Sequence, residues 1–188
     1  MKLKLYNQAL GLIEDSRIET VDESSVEAKA CNLAWDRILG EVLREAVWNF
    51  ALKVEPLAFK KTNEIGKQFV YDKPTDCVFL SDLYGINGPQ AIPATFRIVG
   101  EEIWCYIEKA IGEYVSKDFS LERADQTFLT ALVYRLAAEI SVDLTESGSK
   151  QNNLLQIYLE FLGRARLANA REGQGEFPIY DPYGDARN

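Results

Sequence analysis

The chain has 188 residues, of which 47% are hydrophobic and 27% charged, as in ordinary folded domains. This length is sufficient to bury a core without disulfides or metals. The net charge of −8 disfavours a protein that grips nucleic acid through its phosphates, because that mode of binding needs a positive surface. The absence of histidine excludes catalytic triads and metal sites that depend on imidazole.

The cysteines show no sign of a disulfide framework. Cys31, Cys77 and Cys105 are odd in number and lack the spacing of metal ligands. We interpret them as buried thiols of a protein made in a reducing cytoplasm. The N-terminus has no apolar run typical of a signal peptide, and no segment approaches the ~18 apolar residues of a membrane span. The sequence therefore predicts a soluble protein.

Helical periodicity dominates the first part of the chain. A short first helix is predicted around Leu5 and Leu12, and one long amphipathic helix is predicted within residues 24–53. The apolar residues of the long helix share one face. They are Cys31, Trp35, Ile38, Leu39, Val42, Leu43 and Ala46. Ser24 and Glu27 have the spacing of a capping box, which predicts Ser24 as the N-cap.

Trp48 and Phe50 add more apolar bulk than one helix face can hold. Such a cluster indicates a place where several elements meet, and we interpret both rings as core and not as a ligand platform. A later apolar stripe is predicted to complete this core. The predicted core residues are Trp35, Leu39, Leu43, Trp48, Phe50, Phe128, Leu132, Leu136 and Phe161.

After Pro56 the periodicity changes to short β-like runs separated by Gly, Pro and Asn. Gly100 and Glu101 lie between the last two runs, as a two-residue type II′ hairpin loop requires. The predicted strands cover residues 67–71, 77–84, 94–99 and 102–107. We expect them to form a small antiparallel sheet carried between helices.

The helical pattern returns near Ser120, which is predicted as an N-cap. Phe128 and Leu136 lie on the broad apolar side of this helix, so we expect deep burial. A polar break over residues 145–153 ends it, and a final helix carrying Phe161 follows. Because the link is short, the two helices are predicted to pack antiparallel.

The C-terminal tail, residues 173–188, changes composition sharply. Glycines and prolines alternate there with Phe177, Ile179, Tyr180 and Tyr183. Aromatic residues in such a segment are typical of a peptide that orders on a partner's surface. We therefore predict that this tail docks on a partner.

Three arginines near the end of the last helix, Arg164, Arg166 and Arg171, allow two interpretations. They contact DNA or an acidic partner, or they stabilise the helix C-terminus through its dipole. The sequence leaves both open.

Two pairs of acids have the residue types of a general acid and base. They are Glu101 with Glu102, and Glu108 with Glu113. Neither pair is accompanied by histidine, a metal motif or a pocket signature, so we interpret them as solvated charges. We predict no catalytic residue, no cofactor and no metal.

The order of residues also resembles a family, the head-to-tail adaptors of short-tailed bacteriophages, also called tail tubular protein A. The family's "L-R-x-x-x-W-x-F-A" run is matched by Leu43, Arg44, Trp48, Phe50 and Ala51. Its Gly-Glu turn after the first helix is replaced here by two acids, Glu14 and Asp15.

The resemblance continues along nearly the whole chain. Residues matching the family's "Y-x-x-P-x-D" entry are Tyr71, Pro74 and Asp76, and residues 98–104 are similar to its hairpin. The matching positions of the two last helices are Phe128, Ala131, Leu132, Leu136, Ala137, Ala138, Ala165, Arg166 and Ala170. None of these motifs is very specific to the family by itself, but their order along the chain is.

The resemblance implies a structural virion protein and not an enzyme. Members form a ring, here expected to hold twelve copies, between the portal protein and the tail nozzle protein. The ring extends the channel through which packaged DNA passes without sequence-specific binding, and helps to retain and release the genome. The implied location is the head–tail interface of the virion, after assembly in the host cytoplasm. The tail would then dock on the portal.

Taken together, the sequence predicts a mainly α, α+β fold. The expectation is an antiparallel helical bundle with a small antiparallel β insert and an extended C-terminal tail. Residues 1–55 and 118–172 would supply the bundle, 56–117 the insert and 173–188 the tail. Two alternative functions stay open, a tail-associated cell-wall hydrolase that uses Glu or Asp, and a small cytoplasmic interaction module.

Overall fold

The computed structural model describes residues 1–64, 66–85, 95–145 and 148–173. The predicted docking residues Phe177, Ile179, Tyr180 and Tyr183 lie outside the described residues. The helices are α1 (Lys2–Leu12), α2 (Val26–Leu43), α3 (Gln126–Thr145) and α4 (Gly148–Glu172). The strands are β1 (Leu52–Pro56), β2 (Phe59–Asn63), β3 (Gln68–Asp72), β4 (Cys77–Tyr84), β5 (Phe96–Val99), β6 (Glu102–Cys105) and β7 (Ile111–Ser116).

All described strand pairs are antiparallel, and the strands form two sheets. The first sheet has the order β1-β7-β4, and the second has the order β2-β3-β6-β5. Among the helices, α3 packs against α1, α2 and α4. The helical part of the chain is therefore organised around α3.

The predicted fold class, a helical bundle with a small β insert, is wrong. The described residues form four helices and seven strands, about 50% helix and 24% strand, in two antiparallel sheets. The strands 68–72, 77–84, 96–99 and 102–105 agree with the predicted runs, but β1, β2 and β7 were not predicted. β2 is mostly exposed, and β1 overlaps the end of the predicted long helix at residues 52 and 53. Neither strand alternates buried and exposed residues, so neither has the pattern of a half-buried strand.

The two sheets enclose a hydrophobic core of their own. Leu80 on β4 and Tyr114 on β7 meet Tyr71 and Ile103 from the second sheet, and all four are buried. Val115 on β7 belongs instead to the helical core. Because alternate residues of a strand point to opposite faces, the first sheet packs on the helices with one face and on the second sheet with the other.

Helix α2 is shorter than predicted and begins one residue later. Its N-cap is Ser25, not Ser24, because the Ser25 hydroxyl accepts from the Ala28 N–H at 3.3 Å. The helix ends at Leu43, and a 3₁₀ turn at Asn49–Ala51 leads into β1.

Helix α3 begins at Gln126 and not near Ser120. The Asp125 carboxylate accepts from the Thr127 N–H at 2.7 Å and from the Phe128 N–H at 3.4 Å, so Asp125 occupies the cap. Ser120 precedes a short 3₁₀ helix, Leu121–Arg123. The final helix ends at Glu172, as the glycine at 173 predicts.

The hairpin between β5 and β6 has the predicted two-residue loop. Val99 pairs with Glu102, which leaves Gly100 and Glu101 at the turn. Gly100 adopts a φ of +61°, which is a conformation that glycine reaches without strain.

Trp48 joins the end of α2 to α3. Its side chain is 0% exposed, its indole N–H donates to the Val42 carbonyl at 3.1 Å, and its ring meets Phe128 edge-on with centroids 4.9 Å apart. The Val42 carbonyl also accepts from the Glu45 N–H at 3.2 Å, so the indole is a second donor that ties Trp48 to the end of α2. The aromatic contact adds to the burial energy.

Replacing Trp48 by Ala should destabilise the protein by ~3–5 kcal/mol, because it opens a cavity in the helical core and removes the indole hydrogen bond to the Val42 carbonyl. Urea unfolding measures the loss. Trp104→Ala is the matched control. Because Trp104 on β6 is only partly buried, its replacement should lower the free energy of unfolding by less than half as much. Equal losses would contradict the role of Trp48.

Gly112 on β7 is closely covered by two leucine side chains, Leu57 from the connection after β1 and Leu80 from the neighbouring strand β4. A Cβ built there would be 2.8 Å from Leu57 Cδ2 and 3.1 Å from Leu80 Cδ1. Gly112→Ala should therefore cost ~1–2 kcal/mol through overpacking, measured by urea unfolding. In a Leu57→Ala background the same substitution should cost less unfolding free energy, because the shortened side chain leaves room for the new Cβ.

Gly163→Ala is the control for this substitution, because a Cβ at Gly163 meets no atom within 4 Å in the described structure. In the interior of α4, alanine should stabilise the protein by ~0.5–1 kcal/mol. If the losses of unfolding free energy caused by Leu57→Ala and Gly112→Ala simply add in the double variant, the close contact between position 112 and the Leu57 side chain is contradicted.

Candidate functional site

The predicted core residues lie in the helical part of the molecule. Six of them are buried, and three, Leu39, Phe50 and Phe161, are partly buried against the same core. The buried six are Trp35, Leu43, Trp48, Phe128, Leu132 and Leu136. Phe50 stacks on Trp48 with ring centroids 5.8 Å apart and meets Phe128 edge-on at 4.7 Å.

Two of the three predicted contact arginines are held by the chain's own acids. Arg166 donates to the Glu45 carbonyl at 3.0 Å and pairs with its carboxylate. Arg164 pairs with Glu160 one turn earlier and lies 5.2 Å from the Phe161 ring. Arg171 is exposed in the last turn of α4, where a cation favours the helix dipole.

The acids considered as a general acid and base hold structural hydrogen bonds. Glu102 pairs with Lys60 at 3.0 Å and accepts from the Trp104 indole at 3.0 Å. Glu113 accepts from the Ser81 hydroxyl at 3.2 Å and from the Tyr84 hydroxyl. These hydrogen bonds tie β6 to β2 and β7 to β4.

Metal-binding groups were sought in the described part of the chain, and no cluster of three or more Cys, Asp or Glu with suitable geometry occurs there. The cysteines at 31, 77 and 105 are free thiols and all are buried. Burial raises the pKa of the Cys31 thiol to about 12, and nearby Asp15 and Glu27 act in the same direction. Cys31 therefore stays a neutral core residue.

A polar cluster that sequence reasoning missed lies at the edge of the first sheet. The Asp76 carboxylate accepts from Lys53 Nζ and from the Ser116 hydroxyl, both at 2.6 Å, and from the Tyr114 hydroxyl at 3.3 Å. Tyr114 also donates to Glu55 at 2.5 Å. The cluster ties β1, β7 and the start of β4 together. Its only sequence signal was the position of Asp76 in the "Y-x-x-P-x-D" motif.

Burial alone would raise the pKa of Asp76, but the hydrogen bonds from Lys53 and Ser116 outweigh it and lower the pKa to about 2 from 3.8. A carboxylate with a lowered pKa contributes stability above its unfolded pKa and loses it as the pH falls through its folded pKa. The stabilisation by Asp76 is therefore complete near neutral pH and is lost in acid.

Between about pH 4 and about pH 2 the wild type should lose ~1–2 kcal/mol of unfolding free energy that an Asp76→Asn variant does not lose. Urea unfolding at each pH measures the difference. Asp118→Asn is the control, because that carboxylate meets the same Lys53 at 3.3 Å but is 83% exposed. Parallel pH profiles of wild type and Asp76→Asn would contradict the prediction.

A second missed feature is an apolar groove between the end of β1 and the second sheet. Its volume is about 450 Å³. Its lining includes Pro56, Leu57, Phe59, Phe69, Tyr71 and Lys109. No sequence pattern predicted this groove, because β2, which supplies Phe59, was not predicted as a strand.

The floor of the apolar groove is held by Tyr71. Its hydroxyl donates to the Ile107 carbonyl at 2.8 Å and accepts from the Ala110 N–H at 3.2 Å, which fixes the connection from β6 to β7 against β3. Phe59 meets Tyr71 edge-on at 5.9 Å and is itself 58% exposed. The groove is thus a preformed apolar surface.

Comparison of the chain with models of known protein families and with curated proteins found no match. Among the described helices, none is long and apolar enough to cross a membrane.

Proposed function

We propose that this chain is a structural virion protein, a head-to-tail adaptor that forms a ring between the portal protein and the tail nozzle protein of a short-tailed bacteriophage. The observation that carries the proposal is the order of the adaptor-like motifs, which runs from Leu43 to Ala170. A ring of about twelve copies would extend the DNA channel and carry the nozzle.

The places of the motif residues support this proposal. Leu43 and Trp48 lie in the helical core, Asp76 centres the polar cluster on the first sheet, and Phe128 packs against Trp48. Arg166 ties α4 to the chain segment after α2. Several of the residues that carry the resemblance thus lie at buried or hydrogen-bonded positions of this fold.

The distribution of exposed apolar residues also supports a ring. A closed ring needs two different complementary patches on each subunit. Leu33 on α2 is 84% exposed, and Leu159 and Leu167 on α4 are 56% and 54% exposed. Both α2 and α4 pack on α3. The two exposed surfaces therefore belong to different helices on the outside of the helical part, and such surfaces suit heterologous contacts.

The charge of the chain agrees with a conduit for DNA. A net charge of −8 per subunit makes the ring strongly negative, and acids that face the channel would repel phosphate so that the genome slides without binding. Arg164 and Arg166 are neutralised by Glu160 and Glu45, so they offer little attraction for DNA.

The direct test mixes purified full chain with purified portal rings and examines them by native mass spectrometry and electron microscopy. We expect a ring of chain copies on each portal, and we expect the chain in mass spectra of purified virions. Absence from virions, or failure to bind portal at concentrations of about 10 μM, would contradict the proposal, since portal–adaptor assembly needs a stable interface. Hydrolysis of cell-wall material in a zymogram would favour the hydrolase instead.

The C-terminal tail is the proposed portal contact. In the full chain, replacing Phe177, Tyr180 and Tyr183 by Ser should leave the protein folded, with a cooperative thermal transition, but reduce portal binding at least tenfold, because interface aromatics each contribute on the order of 2 kcal/mol. The control is Tyr106→Ser, a substitution of an aromatic residue that is 65% exposed, lies outside the tail and belongs to neither proposed ring surface. Full portal binding by the triple variant would contradict the docking role.

A further inference from the structure

The apolar groove has the size and lining of a binding site. Its volume of about 450 Å³ falls among pockets that hold small ligands, and its wall is largely aromatic and aliphatic. Phe59 stands at its mouth and is 58% exposed. Phe59 continues the apolar lining of the groove onto the surface, and a contiguous apolar surface of this kind suits an apolar occupant.

The C-terminal tail starts close to the strand that leads to this groove. At the end of α4, the Asn169 side chain accepts from the Asn49 N–H at 2.8 Å and donates to the Val47 carbonyl at 2.7 Å. Gly173 also lies against Asn49, since a Cβ built on it would be 3.7 Å from the Asn49 side chain. From Asn49 the chain enters β1, which ends at Pro56 in the groove wall.

The tail is long enough to span that distance. Residues 49 and 56 lie no more than about 25 Å apart, because an extended chain advances at most ~3.3–3.6 Å per residue. By the same measure, the chain between residues 173 and 183 spans up to about 35 Å. Tyr183 is therefore within reach of the groove, and Tyr180, which is seven residues after Gly173, extends up to about 25 Å and reaches the groove wall at Pro56.

We propose that the apolar groove binds residues 177–183 of its own chain, FPIYDPY, in the isolated subunit. The aromatic and proline side chains of this segment suit the lining of the groove. The groove lining carries one cation and one acid, Lys109 and Glu108. Lys109 has no ion-pair partner among the described residues, so it is available to Asp181, which follows Tyr180 directly. The bound segment covers Phe59.

The consequence is an autoinhibitory contact. A subunit whose tail occupies its own groove keeps its aromatic residues covered, and any partner that takes the tail must compete with the groove. Partner binding is then weakened in proportion to the fraction of subunits whose tail is bound. The proposal concerns the isolated chain and does not rest on the proposed adaptor function.

Disulfide trapping in the full chain tests the contact. Phe59→Cys combined with Tyr180→Cys should form a disulfide within one chain under mild oxidation, detected by peptide mass spectrometry and by unchanged monomer mass. The native thiols do not compete because all three are buried. The control variant combines Tyr180→Cys with Val26→Cys. Val26 lies on α2, and its side chain is 67% exposed. We expect the groove pair to close at least tenfold faster than the control.

Equal rates for the two pairs would overturn the proposal. Disulfides formed mainly between two chains would also overturn it, because the occupant would then be the tail of a second copy. A failure of this kind leaves the portal-binding test of the adaptor function unaffected, since that test uses the wild-type chain.

Limited proteolysis gives an independent measurement. Chymotrypsin cleaves after tyrosine, so Tyr180 and Tyr183 report on access to the tail. Phe59→Glu places a charge in the groove and should speed cleavage at these sites at least fivefold. Leu159→Glu is the matched control, because Leu159 is 56% exposed and lies on α4, away from the groove lining. Equal cleavage in Phe59→Glu and Leu159→Glu, with unchanged melting temperatures, would overturn the proposal.

Discussion

The packing of Trp48 is the interaction on which the rest of the structure depends. Its indole completes the hydrogen bonding at the end of α2, and its ring joins Phe50 and Phe128 in one aromatic group. This arrangement turns the chain from α2 into β1. Since β1 pairs with β7 and β7 with β4, the position of the whole first sheet against the helices follows from that turn.

The groove and the polar cluster follow from the same arrangement. Once β1 is placed on the edge of the first sheet, its residue Lys53 reaches Asp76, and its last residue, Pro56, forms part of the groove wall. Both features depend on contacts between residues far apart in sequence. The proposed binding of the tail extends this reasoning, because the tail begins beside Asn49, next to the same turn.

Sequence periodicity predicted the helices and four of the strands, because each carries a repeat of apolar residues that burial on one face requires. It did not predict β1, which lies in a stretch whose apolar residues suit a helix, or β2, whose side chains are mostly exposed. The fold class was wrong for that reason. The groove was not predictable either, since Phe59, Tyr71 and Lys109 come together only through the pairing of strands. The observed N-caps, Ser25 and Asp125, are not the ones predicted from spacing. The N-cap is the residue whose side chain accepts from the first free N–H groups of the helix, and spacing alone does not show which residue does so.

The first sheet is shared by both hydrophobic cores, Val115 on one face and Tyr114 on the other. Loss of either core would expose the apolar residues on one face of this sheet to water, which costs ~25 cal/mol for each Å² of apolar surface. Neither half of the molecule is therefore independent of the other. Heating should melt the helices and both sheets in a single calorimetric transition, as one cooperative unit.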